Sequence, residues 1–388
     1  MEGNQREREF SHWLCNIEGI GRLTARKLLR MAGSAQGVYE MREEELAKVL
    51  SQEQLKRFLE ARRAGGVAEA YRELERKGIR HYPASDPLYP SRLLEIPDRP
   101  EGLYVKGNLP EEAVPAVALI GARVCSEYGA YLARRFAAAF AEAGVNVISG
   151  LARGIDGIGQ RSALDHGGAT YGVLGCGPDI CYPEENRDIY ERLAKAGGIL
   201  SEYPPGTRPR SGLFPQRNRI ISGLADAVVV IEAREKSGTF ITVDMALEQG
   251  REVFAVPGRV TDRLSSGCNR LIRQGAGMAL SPDDVLEELA RRRMKFAKQG
   301  KGAEPSMDTQ ENKRGRKETN LDARPAKETG YVRHILDCLD FLPLSAGQIQ
   351  ERMAAKGICL PLPVLMQGLL ELSLEGRCGQ DGGYYYRI

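Results

Sequence analysis

Short apolar runs alternate with helix-length amphipathic stretches through the middle of this chain. From Val117 the runs VALIG, VNVISG, TYGVLG, GGILSE, AVVVIE and EVFAVPG each have the length of a buried strand. Helix-patterned segments at 129–143, 156–165, 218–224, 239–249, 269–274 and 283–290 lie between or after them. Strands that are apolar throughout, interleaved with helices, predict a parallel sheet covered on both faces: a doubly wound α/β fold, with ligand sites at the carboxyl ends of the strands. Those ends are rich in small residues: Gly121-Ala122-Arg123, Ser149-Gly150, Gly175-Cys176-Gly177, Ser201-Glu202, Ser237-Gly238-Thr239 and Pro257-Gly258.

Three further parts flank this body at 81–290. Residues 1–80 place apolar side chains at helical spacing (Leu23, Leu28, Leu29; Leu46, Val49, Leu50; Leu55, Phe58, Leu59) with almost no β-branched runs, so a small helical bundle is expected. The proline-rich connector HYPASDPLYPSRLLEIPDRPEGLYVKGNLP is expected to run extended along the surface of the body. Residues 291–330 are polar and basic: from 291 to 333 there are 13 Lys or Arg against 6 Asp or Glu, which predicts a solvated tether. The tail, 331–388, reads as a winged helix, with helices at 331–339, 345–355 and 363–375 before the hairpin GRCGQDGGYYYRI. Its third helix holds no basic residue and Gln367 as its one amide, which suits an apolar dock for protein better than a reader of bases.

Composition narrows the class. With 388 residues, 42% hydrophobic and 28% charged, the chain is an ordinary globular protein of two or three domains. The polar start MEGNQREREF and the lack of any run of about 18 apolar residues predict a cytoplasmic protein without membrane insertion. Eight cysteines (15, 125, 176, 181, 268, 338, 359, 378) include no CxxC pair and, with four histidines, no metal-ligand spacing. Reduced thiols, no metal and no cofactor are expected. The net charge of +3 says nothing about partners.

Common nucleotide machines drop out on motif grounds. Neither GxxxxGK[ST] nor a GxGxxG after the first strand is present, and no GxSxG elbow supports a serine hydrolase. What remains are glycine-rich strand ends facing helix N-termini, with arginines in the same loops, a combination that binds anions. Gly121 lets a ligand approach while Arg123 can fork onto phosphate. In SGLARGID, Ser149, Gly150, Arg153 and Gly154 form a second loop, with Asp156 placed to N-cap the following helix. The segment GTRPRSGLFPQRNRIISG, 206–223, holds Arg208, Arg210, Arg217 and Arg219 around Phe214 without one Asp or Glu. Guanidiniums that follow phosphates and a ring that stacks on a base suit a single strand of nucleic acid. Gly238 and Thr239 open a helix with further N–H donors. In the head, Gly19-Ile20-Gly21 before RLTARKLL is a weaker signal of a turn that offers N–H groups to DNA phosphate.

At these strings the chain resembles the DNA-processing protein A family (DprA, or Smf) of bacteria. VALIGAR, SGLARGID, VLGCGPDICYP, SEYPPG, FPQRNRIISGLADAVVVIEA, SGTFITVDMALEQGREVFAVPG and GCNRLIRQGA follow the family's order over about 200 residues. The resemblance implies an extended Rossmann-like core that binds single-stranded DNA without catalysis, forms homodimers through that core, protects incoming DNA in natural transformation and loads the RecA recombinase. It places Arg123, the loop 149–154, Phe214, Arg217, Asn218 and Arg219 on the strand. Two positions depart from the pattern: Gly159-Gln160 stands where Ala-His is common, and Ala122 replaces a serine.

Two other readings compete. The SGT loop with Glu248, or Glu202, is also similar to nucleoside monophosphate phosphoribohydrolases, though their PGG-x-GT loop is not present in full. Alternatively the core only scaffolds protein contacts. Free base released from nucleoside monophosphates would mark the first.

Overall fold

The computed structural model describes residues 2–299, 330–339, 344–358, 360–374, 377–381 and 384–387. The chain forms two compact units, Met1–Ala303 and Glu304–Ile388.

In the first unit α1 (Glu2–Cys15), α2 (Arg22–Ala32), α3 (Ala35–Glu40), α4 (Glu43–Leu46), α5 (Gln52–Ala64) and α6 (Val67–Arg76) make the expected bundle. Trp13, Leu28, Val38, Leu46 and Phe58 fill its core. Then come β1 (Ile79–Pro83), α7 (Ser91–Leu94), β2 (Gly102–Gly107), β3 (Ala116–Ile120), α8 (Glu127–Glu142), β4 (Asn146–Ser149), α9 (Ile155–Asp165), β5 (Thr170–Leu174), α10 (Arg187–Ala196) and β6 (Gly197–Ser201). The unit continues with α11 (Leu213–Leu224), β7 (Ala227–Val230), α12 (Thr239–Glu248), β8 (Glu252–Ala255), α13 (Ser266–Arg273), β9 (Gly277–Met278) and α14 (Pro282–Gln299).

The strands form one nine-stranded sheet in the order β1-β2-β6-β5-β4-β3-β7-β8-β9. From β6 to β9 all neighbours are parallel. Side chains alternate by face, as strand geometry requires. Ala118 and Ile120 of β3 join Val228, Ile220, Val243 and Leu271 in one core. Val117 and Leu119 join Phe136, Phe140, Val229 and Leu289 in the other. The doubly wound, mostly parallel sheet is as the pattern predicts.

The connector differs from expectation. Rather than lying on the surface, it supplies β1 and β2, an antiparallel pair that extends the sheet beside β6, while Tyr89, Leu93 and Ile96 enter the core. Its prolines fall at a strand end and in the intervening loop, where no ladder N–H is lost. Helix α10 occupies a stretch that the apolar runs leave unassigned, α11 begins five residues earlier than predicted, and α14 reaches past 290 into the expected tether. The rest of that tether, 300–329, lies outside the described residues.

Polar groups join the bundle to the sheet. Ser11 Oγ lies 2.9 Å from His81 Nε2, and His12 Nδ1 lies 3.1 Å from Tyr104 Oη. Burial pushes His12 down to about 4 and His81 well below its usual range. Around the rim Arg8 pairs with Asp86 at 2.5 Å, Arg22 with Asp98, and Arg26 with Glu101.

The second unit contains α15 (Gly330–Leu336), β10 (Leu344–Ser345), α16 (Ala346–Ala355), α17 (Leu362–Leu374), β11 (Cys378–Asp381) and β12 (Tyr384–Arg387). Its sheet order is β10-β12-β11. Leu365, Leu369 and Leu372 of α17 are buried in the unit's own core with Val332, Ile335 and Ile349, so much of the apolar surface expected to dock a partner is used internally. Among the described residues no helix is long and apolar enough to cross a membrane, and no group of three or more His, Cys, Asp or Glu could hold a metal ion.

Candidate nucleic-acid interface

The order of the sheet fixes where a site can form. From β3 the chain winds outward through β4, β5 and β6, then returns to the other side of β3 with β7, so the carboxyl ends of β3 and β7 flank the topological switch point. A cleft of about 710 Å³ opens there. Its walls include Gly121, Ala122 and Arg123 after β3, Arg234, Lys236, Ser237, Gly238 and Thr239 after β7, and Phe214, Arg217 and Asn218 of α11.

Close packing sets the backbone of this cleft. A Cβ at Gly121 would lie 2.8 Å from the Ile155 side chain, and one at Gly154 would lie 2.3 Å from Ala122 O. Gly154 also has φ of +70°, in the left-handed region that favours glycine. These two glycines bring the ends of β3 and β4 together. Thr239 Oγ1 reaches Gly121 O at 3.4 Å, so the start of α12 is tied to the same loop. Glu232, buried after β7, accepts the Ser126 N–H at 2.9 Å and the Ser126 hydroxyl, which fixes the start of α8.

Arg217 has an unexpected environment. It is 4% exposed, and its Nη1 donates to Gly150 O at 2.8 Å and to Val173 O. The guanidinium therefore caps the carboxyl ends of β4 and β5 and borders the cleft from inside. Burial pushes it down to about 10, opposed by the nearby charge of Asp156. Asp156 is not the N-cap predicted for α9: that position is Gly154. Its Oδ2 instead accepts the Gly150 N–H at 3.0 Å, and burial raises its pKa against the pull of Arg217. The buried anion balances the buried cation.

Arg219 departs further from the carboxylate-free lip that the sequence suggests. It is 4% exposed and pairs with Glu202 at 2.6 Å and with Asp98 at 3.4 Å. Both acids come from outside 206–223, so the segment's composition does not reveal them. Arg219 does not border the cleft. Ser149 is also turned inward, its hydroxyl donating to Leu119 O at 2.7 Å, and the Gly150 N–H is engaged by Asp156. Arg153 is exposed and pairs with Glu185.

The open cations are Arg123, Arg234 and Lys236 in the cleft and Arg208 and Arg210 beside it. None of the ion pairs among the described residues engages these five. Arg208 and Arg210 line a second cleft of about 430 Å³, while Pro209 and Ser211 line the first. An extended backbone presents successive residues to opposite sides in this way. Phe214 is half-buried and stacks on Tyr182, centroids 5.5 Å apart at 26°. Arg123 lies over the same ring at 5.8 Å. Arg234, Lys236 and Tyr182 were not predicted: Glu235 separates the two cations and masks their charge on paper.

The departure at Gly159-Gln160 lies in the core. Gln160 accepts the Leu151 N–H at 3.1 Å and donates to Tyr171 O at 3.1 Å, fully buried away from the cleft. A Cβ at Gly159 would lie 2.4 Å from Leu119.

Fold and cleft together define a Rossmann-like α/β protein with a basic, glycine-lined site at its switch point. Residues 80–290 match the family described as DNA recombination-mediator protein A, and the chain belongs to that family. It is 44% identical over 203 residues to the DNA processing protein DprA of Streptococcus pneumoniae, covering 52% of this chain and 72% of that one. With Protein Smf of Escherichia coli it shares 36% identity over 317 residues, 81% of this chain and 79% of the relative. The crystal structure of the S. pneumoniae protein superposes with a TM-score of 0.64 at 35% identity, over 72% of this chain and 97% of that one.

Proposed function

We propose that the cleft binds single-stranded DNA and breaks no bond in it. The observation that carries this reading is the pairing of an aromatic stack, half-buried Phe214 on exposed Tyr182, with the unpaired cations Arg123, Arg234 and Lys236 in one groove. Stacking accepts any base, and cations spaced along a groove follow a backbone. Gly121, Asn218, Gly238 and Thr239 line the same groove, and Arg210 lines the second cleft beside it. Arg217, Ser149, Gly150 and Gly154 shape the cleft from behind, and Arg219 positions α11. Arg153 sits on the rim. Membership of a family of recombination mediators supports a strand as the ligand.

Absence of catalysis is part of the reading. Neither Glu202, engaged by Arg219, nor Glu248, exposed at the end of α12, lines the cleft. The one acid that does, Asp156, is held by the Gly150 N–H. The full proposal follows the family: the protein protects incoming single strands during transformation, delivers them to RecA, acts in the cytoplasm and dimerises through the Rossmann-like unit. The element order of the second unit, helix, strand, two helices and two strands, supports a winged helix there.

Titration of a labelled poly-dT strand at several salt concentrations, beside a duplex of equal length, tests the reading. Tight, salt-dependent binding that favours the single strand is expected; equal affinity for the duplex, or release of base from nucleoside monophosphates, would overturn it.

A further inference from the structure

Helices α8 and α9 bury Ala133, Phe136, Phe140, Ile155 and Ala163 against the same face of the sheet. The helical phase that turns those residues inward turns Tyr131, Arg134 and Arg135 of α8 outward. Together with Ile158, Arg161 and Ser162 of α9 they line a groove of about 520 Å³ between the two helices. Tyr131 is 54% exposed, so its ring is open to a ligand. Two charges in the walls are already matched: Arg161 pairs with Asp188 at 2.6 Å, and Asp165 accepts from Arg192 at 2.8 Å. Arg134 and Arg135 are exposed, and among the described residues no ion pair or hydrogen bond engages either guanidinium. Nor does α8 supply an acid at helical spacing, since the residues three and four positions from each are Ala, Leu or Tyr. Exposed arginines of other helices are covered in that way: Arg57 by Glu53, Arg76 by Glu73 and Arg187 by Glu184.

The groove begins close to the cleft at the switch point. Asp156, in the first turn of α9, lines the cleft, and Ile158, two residues on, lines the groove. Arg161 follows about 8 Å beyond Asp156 along the helix axis, at 1.5 Å per residue. We propose that this groove holds the part of a DNA single strand that has passed beyond the cleft, its phosphates on Arg134 and Arg135 and one base on the face of Tyr131. The inference rests on the single-stranded DNA reading above and extends the surface that the strand covers. A ring beside unpaired cations takes any unpaired base and the backbone that carries it. A duplex keeps its bases stacked and gives Tyr131 nothing to hold, and an acidic peptide would satisfy the two arginines but leave the ring unused.

The experiment titrates the full chain with a short dT strand and with progressively longer ones at several salt concentrations. Wild-type affinity should rise with length. The double variant Arg134→Ala, Arg135→Ala should bind the shortest strand as the wild type does and the longest about tenfold more weakly, with the salt slope flattened by about 1.4, two phosphate contacts. Its melting temperature should be unchanged, because neither side chain has a partner to lose. Tyr131→Ala should weaken the longest strand about tenfold with the slope unchanged. Irradiation of a long strand carrying 5-iodouracil should cross-link it to Tyr131. Wild-type affinity of the double variant for the longest strand, or cross-links that miss α8 and α9, overturns the inference and leaves the proposed function standing. An equal loss on the shortest strand also overturns it, by placing these residues in the site the cleft already forms. Binding of poly-glutamate that the double variant loses, with long-strand binding kept, assigns the groove to an acidic peptide instead. No binding of any strand by the wild type overturns the proposed function, and this inference with it.

Discussion

Arg217 and Gly150, 67 residues apart in sequence, are joined at 2.8 Å through the guanidinium and the glycine carbonyl. A Cβ on Gly150 would lie 2.6 Å from Arg217 Nη2 and 2.8 Å from Asp156 Oδ2. Gly150→Ala therefore has to displace both charged groups. We expect it to destabilise the fold by about 1–3 kcal/mol and to weaken strand binding, because the wall of the cleft moves. Thermal unfolding and strand titration on the same variant check this.

Arg123 and Arg219 should separate cleanly. Arg123→Ala removes an exposed cation that no acid balances, so strand affinity should fall and the salt slope should flatten by about 0.7, one phosphate contact, with melting temperature unchanged. Arg219→Ala strands Glu202 in a buried site, and we expect a loss of roughly 3–5 kcal/mol in stability. Equal melting temperatures for the two variants would contradict the assignment.

Phe214→Ala should cost about 1–3 kcal/mol of binding for one stacked base, since the ring and Tyr182 form the only aromatic pair that lines the cleft among the described residues. Phe214→Tyr should retain most of it. Tyr182 fluorescence quenching on strand addition should vanish in the alanine variant.

Stability should fall as pH drops from about 6.5 to 4. His12 is held near 4 in the fold by burial against 6.5 when exposed, so the unfolded chain binds the extra proton across that window and gains from acid. That difference corresponds to about 3 kcal/mol. His81, shifted the same way, adds to the slope. Denaturant titrations at pH 7 and pH 5 read the loss, and His12→Gln should reduce the difference.

The parts of this site that were legible in sequence are those set by short-range pattern. An apolar run ending in glycine marks a strand end regardless of the rest of the chain, which is why Gly121 and Gly150 fall at the carboxyl ends of β3 and β4. Helical phase could have refined the arginines: Arg217 shares a stripe with Ile220, Ile221 and Leu224, all buried, which marks it as inward-facing. The partners of Arg219 could not be read, because Asp98 and Glu202 come from a loop and a strand end that only the sheet order brings together. Residues β1 and β2 contribute were hidden by proline, which signals turns locally but cannot report that a strand pairs beside it.

The rim that ties Arg22 and Arg26 to Asp98 and Glu101, with Arg219 on the same Asp98, has a consequence for dissecting the protein. A fragment cut free of its leading helices would keep Asp86, Asp98 and Glu101 and lose Arg8, Arg22 and Arg26, with Arg219 left as a partner for Asp98 alone. The acids left without their partners, Glu101 beside Tyr203 among them, would push an approaching polyanion away, so such a fragment would understate the grip of the intact chain.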